Sequence, residues 1–142
     1  MINYIKKKIK LKIIGEKKFD KKLNRTLIQS QIKTKNNKTL QINLALNYGS
    51  KSELINTYKL IKKKNEKINE KNIKKYLFTN DSPDPDLLIR TGNTKRLSNF
   101  MLWQLAYAEL YFLDKLWPDF NSSDLKKIIR NFKLTKRNYG SV

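Results

Sequence analysis

Apolar residues in this chain repeatedly change their spacing, from every second position to every third or fourth and back. Leu40, Ile42, Leu44 and Leu46 alternate with Gln41, Asn43 and Ala45, which predicts a strand over 40–46. Before it, Phe19, Leu23 and Leu27 recur every fourth residue with Ile28 and Ile32 beside them, which predicts a helix over about 20–33. Leu11-Lys-Ile-Ile-Gly15 reads as a short strand with a glycine stop. Ser50-Lys-Ser-Glu53 fits a capping box that opens a helix with Leu54, Tyr58 and Ile61 as its buried stripe. The lysine-rich stretch 62–75 reads as solvated, with a short helix near 69–77. Asp86 to Arg90 reads as a strand, Ser98 as the cap of a helix stapled by Leu97 and Leu102, and 110–113 as another strand. Phe120 and Leu125 flank Asn121 at the start of a last helix whose stripe is Leu125, Ile128, Ile129 and Phe132. Alternating strands and helices imply an α/β fold, a mostly parallel sheet flanked by helices. Ligands of such sheets bind beyond the carboxyl ends of the strands, where Arg90 and Asn47-Tyr48-Gly49 fall.

The 142 residues contain neither cysteine nor histidine, so disulfides, thiolate metal sites and His-dependent catalytic triads are excluded. A hydrophobic share of 39% is enough for a core, and the length with no internal repeat suggests a single domain, 1–142. The net charge of +20 would draw nucleic acid, anionic lipid and phosphorylated ligands alike. Only five of the 32 basic residues are arginine, and lysine is spread along the entire chain. That distribution reads as a compositional drift rather than a selected nucleic-acid patch. The amino-terminal residues alternate lysine with isoleucine and leucine and do not resemble a signal peptide. The longest apolar run, 100–113, contains Gln104 and Glu109 and is too short to span a bilayer, so a cytoplasmic protein is expected.

Chemistry concentrates between Asp86 and Trp103. Arg90 and Arg96 offer planar guanidiniums that match phosphate oxygens, Ser98 offers a hydroxyl at an expected helix start, and Gly92 lets the backbone approach closely. Together these residues read as a phosphate or diphosphate cradle. Glu109 lies inside the apolar run Leu-Ala-Tyr-Ala-Glu-Leu-Tyr-Phe-Leu, where a carboxylate calls for a cation. Mg²⁺ and a salt bridge to an arginine are equally consistent with that position. Asp84-Pro-Asp86 reads as a turn at the opposite strand edge, and most of Trp103, Tyr107, Tyr111, Phe112 and Trp117 as core.

Asp86-Leu-Leu-Ile-Arg-Thr-Gly92, the run from Arg96 to Phe112, Leu116-Trp-Pro-Asp-Phe120, Leu11 to Gly15 and Asn43 to Gly49 closely resemble the cis-prenyltransferase family, of the bacterial undecaprenyl diphosphate synthase (isoprenyl transferase) type. The likeness extends from about Lys10 to Gly140 and corresponds to the family's carboxyl-terminal portion. The resemblance implies that Arg90, Arg96, Leu97 and Ser98 bind the diphosphate of isopentenyl diphosphate and that Glu109 binds Mg²⁺. It implies condensation of isopentenyl diphosphate onto an allylic diphosphate, giving a polyprenyl diphosphate delivered to the membrane.

The family's opening strand and its Asp-Gly-Asn-Gly-Arg loop, which hold the allylic substrate, have no counterpart. The expected sheet is therefore incomplete for lack of its N-terminal strands, and activity of this chain alone is not expected. A homodimer, or association with a chain supplying the N-terminal half, is the expected assembly. Sheet edges left by the missing strands should favour aggregation or a partner. Two further departures bear on diphosphate and metal binding: the loop Gly92-Asn-Thr-Lys95 lacks the family's acidic residue, and Asn138 stands where arginine is common. The competing readings are a non-catalytic subunit of a heteromeric prenyltransferase and a basic protein that binds nucleic acid or membrane surfaces through charge alone.

Overall fold

A computed structural model describes residues 8–16 and 18–137, and these form two compact units that divide after Ser82. Both are α/β with parallel strands. The first contains β1 (Ile9–Ile14), α1 (Lys21–Thr34), β2 (Leu40–Ala45), α2 (Ser50–Lys63) and α3 (Glu70–Tyr76). The second contains β3 (Leu87–Arg90), β4 (Glu109–Phe112), a single 3-10 turn at Trp117–Asp119, and α4 (Ser122–Leu134). Among the described residues the strands pair as two parallel couples, β1 with β2 and β3 with β4. No helix among these residues is long and apolar enough to cross a membrane.

In the first unit, β1, α1 and β2 form a crossover unit in register from Ile9↔Leu40 to Ile14↔Ala45. Asp20 caps α1 by accepting the Leu23 N–H at 2.9 Å. The helix then covers part of the outer edge of β1. Thr34 Oγ1 accepts the Leu11 N–H at 3.1 Å, Gln31 Oε1 accepts the Ile13 N–H at 2.8 Å, and Asn37 donates to the Ile9 carbonyl at 2.8 Å. Polar side chains of α1 and the turn after it thus occupy three backbone groups of this edge.

The expected box at Ser50 does not form. Gly49 is the cap of α2, and Ser50 is already helical and fully buried. Glu53 turns inward instead, accepting the Tyr48 hydroxyl at 2.5 Å and the Phe78 N–H at 2.6 Å. Each bond compensates the desolvation of a carboxylate that is only 2% exposed. The buried stripe of α2 follows from that anchor: Ser50, Glu53, Thr57 and Ile61 are buried, whereas Tyr58 is 48% exposed. The lysines of α1, α2 and α3 lie on exposed positions, as a solvated face requires.

The polar face of the β1–β2 pair meets Asp81. Lys12 Nζ lies 2.6 Å and Lys10 Nζ 3.3 Å from its carboxylate, and Gln41 bonds both Asp81 (3.4 Å) and Ser82 (2.9 Å). Burial opposes ionisation of Asp81, but the hydrogen bond and charge of Lys12, with the bonds from Lys10 and Gln41, outweigh it and lower the carboxyl to about 2.

At the carboxyl end of these strands, Gly15 has φ +107°, and a Cβ there would overlap the Leu46 carbonyl oxygen. Gly15→Ala should therefore cost about 2 kcal/mol or more, read by urea unfolding, since both the backbone conformation and the space are denied to alanine. A folded-state pKa below the ordinary value near 3.9 makes the Asp81 contribution present above about pH 4 and lost as pH falls toward 2. The same urea measurement should show that loss diminished in Asp81→Asn, by no more than about 1 kcal/mol because solvent screens the group.

Candidate functional site

Parallel pairing of β3 with β4, from Leu87↔Glu109 to Arg90↔Phe112, places Arg90 at the carboxyl end of its strand. The ladder continues one step further, with Leu113 N–H donating to the Arg90 carbonyl at 2.8 Å. Gly92 N–H then donates to the Lys115 carbonyl at 2.8 Å and Asn93 N–H to the Leu113 carbonyl at 3.0 Å. The turn after Arg90 is thus fastened to the exit of β4. Gly92 has φ +90°, and a Cβ there would meet no atom within 4 Å. Glycine suits this left-handed conformation, and the space beside it is open.

Arg90, Arg96 and Ser98 come together. The Arg90 Nη1 donates to the Arg96 carbonyl and, at 3.0 Å, to Ser98 Oγ; Arg96 Nε donates to the same oxygen at 3.2 Å. Among the described residues these bonds use one nitrogen of each guanidinium, and neither arginine is ion-paired. Two like charges gathered on one hydroxyl repel each other, and an anion received by the remaining N–H groups would relieve that repulsion. Leu97 lines a cavity of about 270 Å³ beside them, together with Leu88, Ile89, Arg90, Ser98 and Phe100. The site thus has a cationic head and an apolar wall.

The helix expected to start at Ser98 is absent. Residues 97–107 form turns, and Ser98, Asn99 and Met101 have φ of +48°, +62° and +45°. Left-handed φ values at three of four positions cannot continue a right-handed helix. The Ser98 hydroxyl is taken by the two arginines rather than by helix N–H groups, so no helix dipole contributes to this site. Two of the expected core aromatics also lie outside. Tyr107 is exposed, and Trp117 is 74% exposed and stacked on Phe120 at 6.0 Å.

Glu109 begins β4, in register with Leu87. Strand alternation puts Glu109 and Tyr111 on one face of the pair and Leu88, Arg90, Leu110 and Phe112 on the other. Along the strands Glu109 lies about 10 Å from Arg90. The structure therefore brings Arg90, Arg96, Leu97 and Ser98 together and sets Glu109 apart. No ion pair joins Glu109 to either arginine, and no cluster of three metal-binding side chains occurs among the described residues.

Asp86 is ion-paired. Arg137 Nη1 lies 2.6 Å from its Oδ1, and Arg137 also donates to the Tyr107 carbonyl at 3.2 Å and stacks on Phe132 at 5.3 Å. This clamp across 51 residues of sequence left no local signal. Asn138 to Gly140, with the departure at Asn138, lie outside the described residues.

The family model described as "Putative undecaprenyl diphosphate synthase" matches residues 1–140. Isoprenyl transferase of Fusobacterium nucleatum is 42% identical over 99% of this chain and 61% of that protein, and isoprenyl transferase of Clostridium tetani is 39% identical over 100% and 62%. Among solved structures, a probable undecaprenyl diphosphate synthase from Campylobacter jejuni superposes with a TM-score of 0.90 at 36% identity, over 98% of this chain and 66% of that one. Lavandulyl diphosphate synthase from Lavandula x intermedia, in complex with dimethylallyl diphosphate, gives 0.87 at 31%, over 94% and 61%. The chain belongs to the undecaprenyl diphosphate synthase family of cis-prenyltransferases, and it spans about 60% of the length of those curated relatives.

Ser98→Ala should free the Arg96 Nε–H, so that its exchange with solvent, followed by nitrogen-15 NMR, becomes faster. Global stability should change by less than about 0.5 kcal/mol, because the bonds are exposed.

Proposed function

We propose that this chain carries the isopentenyl diphosphate side of a cis-prenyltransferase site. The observation that supports this reading is the convergence of Arg90 and Arg96 on Ser98 at the mouth of an apolar cavity of about 270 Å³. The guanidiniums would hold the diphosphate. Leu97, with Leu88, Ile89 and Phe100, would receive the five-carbon tail. The reaction condenses this acceptor with an allylic diphosphate to give a polyprenyl diphosphate such as undecaprenyl diphosphate. The family match, residues 1–140, runs through both units, which supports reading 1–142 as one partial domain. The allylic diphosphate would be held by the part of the family architecture that these residues do not span.

Glu109 suits Mg²⁺ as one ligand of a larger set. Mg²⁺ commonly takes one or two carboxylates and completes its shell with waters and substrate phosphate oxygens. When bound, it would neutralise diphosphate charge as the allylic bond breaks. Glu109 lies on the face opposite Arg90, which favours a homodimer in which Glu109 of one protomer serves the arginines of the other. The enzyme would act in the cytoplasm and release its product at the membrane surface.

Chain elongation with isopentenyl and farnesyl diphosphates plus Mg²⁺ should give no product from this chain alone, and should give product once a chain with the amino-terminal half is added. Arg96→Ala should weaken isopentenyl diphosphate binding about tenfold or more, as loss of a charged hydrogen-bonding partner does. Mixing Arg96→Ala with Glu109→Gln should restore Mg²⁺-dependent binding that neither variant shows alone. Unrestored binding would refute the shared site.

A further inference from the structure

We propose that Lys115 is a positioning residue for the arginine loop, locking the exit of β4 onto the cap of α4; its role toward a ligand rests on the diphosphate reading above. The loop between Arg90 and Arg96 hangs on this short segment. Gly92 N–H donates to the Lys115 carbonyl at 2.8 Å, and Asn93 N–H to the Leu113 carbonyl at 3.0 Å. The Lys115 side chain reaches the other way. Its ammonium donates to both oxygens of Asp124, at 2.8 and 3.0 Å.

Asp124 is itself fixed. Its carboxylate accepts the Asn121 N–H at 3.0 Å, while the Asn121 side chain accepts from Ser123 and Asp124, closing the capping box of α4. Lys115 therefore holds the loop with its backbone and the helix with its side chain. The pair is partly exposed, so it adds little to global stability. Its effect is geometric, because a fork of charged hydrogen bonds restricts where residues 113–115 can sit, and through them where Gly92 sits. Small displacements of binding groups have large consequences for a ligand that needs two guanidiniums at once. No hydrogen bond joins the Lys115 side chain to Arg90, Arg96 or Ser98, and it acts through Gly92 and Asn93.

The experiment uses the full chain without and with inorganic diphosphate. In Lys115→Met, amide hydrogen exchange at Gly92 and Asn93 should accelerate about fivefold, while Ile128 and Ile129 in α4 keep their protection. Calorimetric titration should show diphosphate binding about fivefold weaker. Lys115→Arg should restore both. Asp124→Asn, which breaks the pair from the other side, should reproduce the exchange effect and serves if Lys115→Met does not fold. Unchanged exchange at Gly92 overturns the link. Accelerated exchange with unchanged diphosphate affinity overturns the positioning role. If the wild-type chain does not bind diphosphate, or Arg96→Ala binds it equally well, the reading of the site fails together with the ligand role of Lys115. The exchange result then stands by itself and separates the two failures.

Discussion

The pairing of β3 with β4 is the constraint on which the second unit depends. Four paired residues determine the level at which Arg90 leaves the sheet, and the bond from Leu113 to the Arg90 carbonyl carries the ladder one residue further. From there the chain makes a left-handed turn at Gly92 and Asn93, and both N–H groups return to the exit of β4. Parallel strands need a long connection, and here residues 91–108 supply it as a series of turns rather than a helix. That irregular course leaves the Ser98 hydroxyl available to Arg90 and Arg96. A helix starting at Ser98 would have drawn the same oxygen to its own N–H groups.

Much of this was legible in sequence because period and turn chemistry are local. Strand 40–46 needed only its alternation, α1 its fourfold spacing, and α4 its Asn121 cap. The failures share a physical cause, which is a side chain with more than one possible partner. Ser98 looks like a cap until two arginines, two and eight residues before it, take its oxygen. Glu53 looks like the far half of a capping box, but Tyr48 and the Phe78 N–H, the latter 25 residues away, supply better compensation for a buried carboxylate. Tyr58 follows from Glu53, because turning the helix to bury a carboxylate rotates the aromatic outward. Arg137 with Asp86 and Lys115 with Asp124 are joined by the fold across distances that no spacing rule covers.

Charge shows the same division between composition and arrangement. A net charge of +20 comes mainly from lysines, and those of the four helices lie at exposed positions, where solvent and salt screen them. Local geometry separates three arginines from that background. Arg137 is committed to a carboxylate and two further contacts, so it is structural. Arg90 and Arg96 share a neutral hydroxyl and have no carboxylate beside them, so their charge remains available. Guanidiniums are delocalised and bidentate, whereas ammonium groups are compact and strongly hydrated. Arg90 and Arg96 therefore say more about ligand chemistry than all the lysines together.

The position of Glu109 carries the argument furthest. Resemblance groups it with Arg90, Arg96 and Ser98, because a metal and a diphosphate belong together chemically. The register separates them, placing Glu109 at the opposite end and on the opposite face of the strand pair. A strand cannot slip by one residue to remove this disagreement without turning every side chain over, which would take Leu88 and Ile89 out of their places beside the cavity. Within one chain the carboxylate and the guanidiniums are therefore held apart by the same pairing that positions each of them.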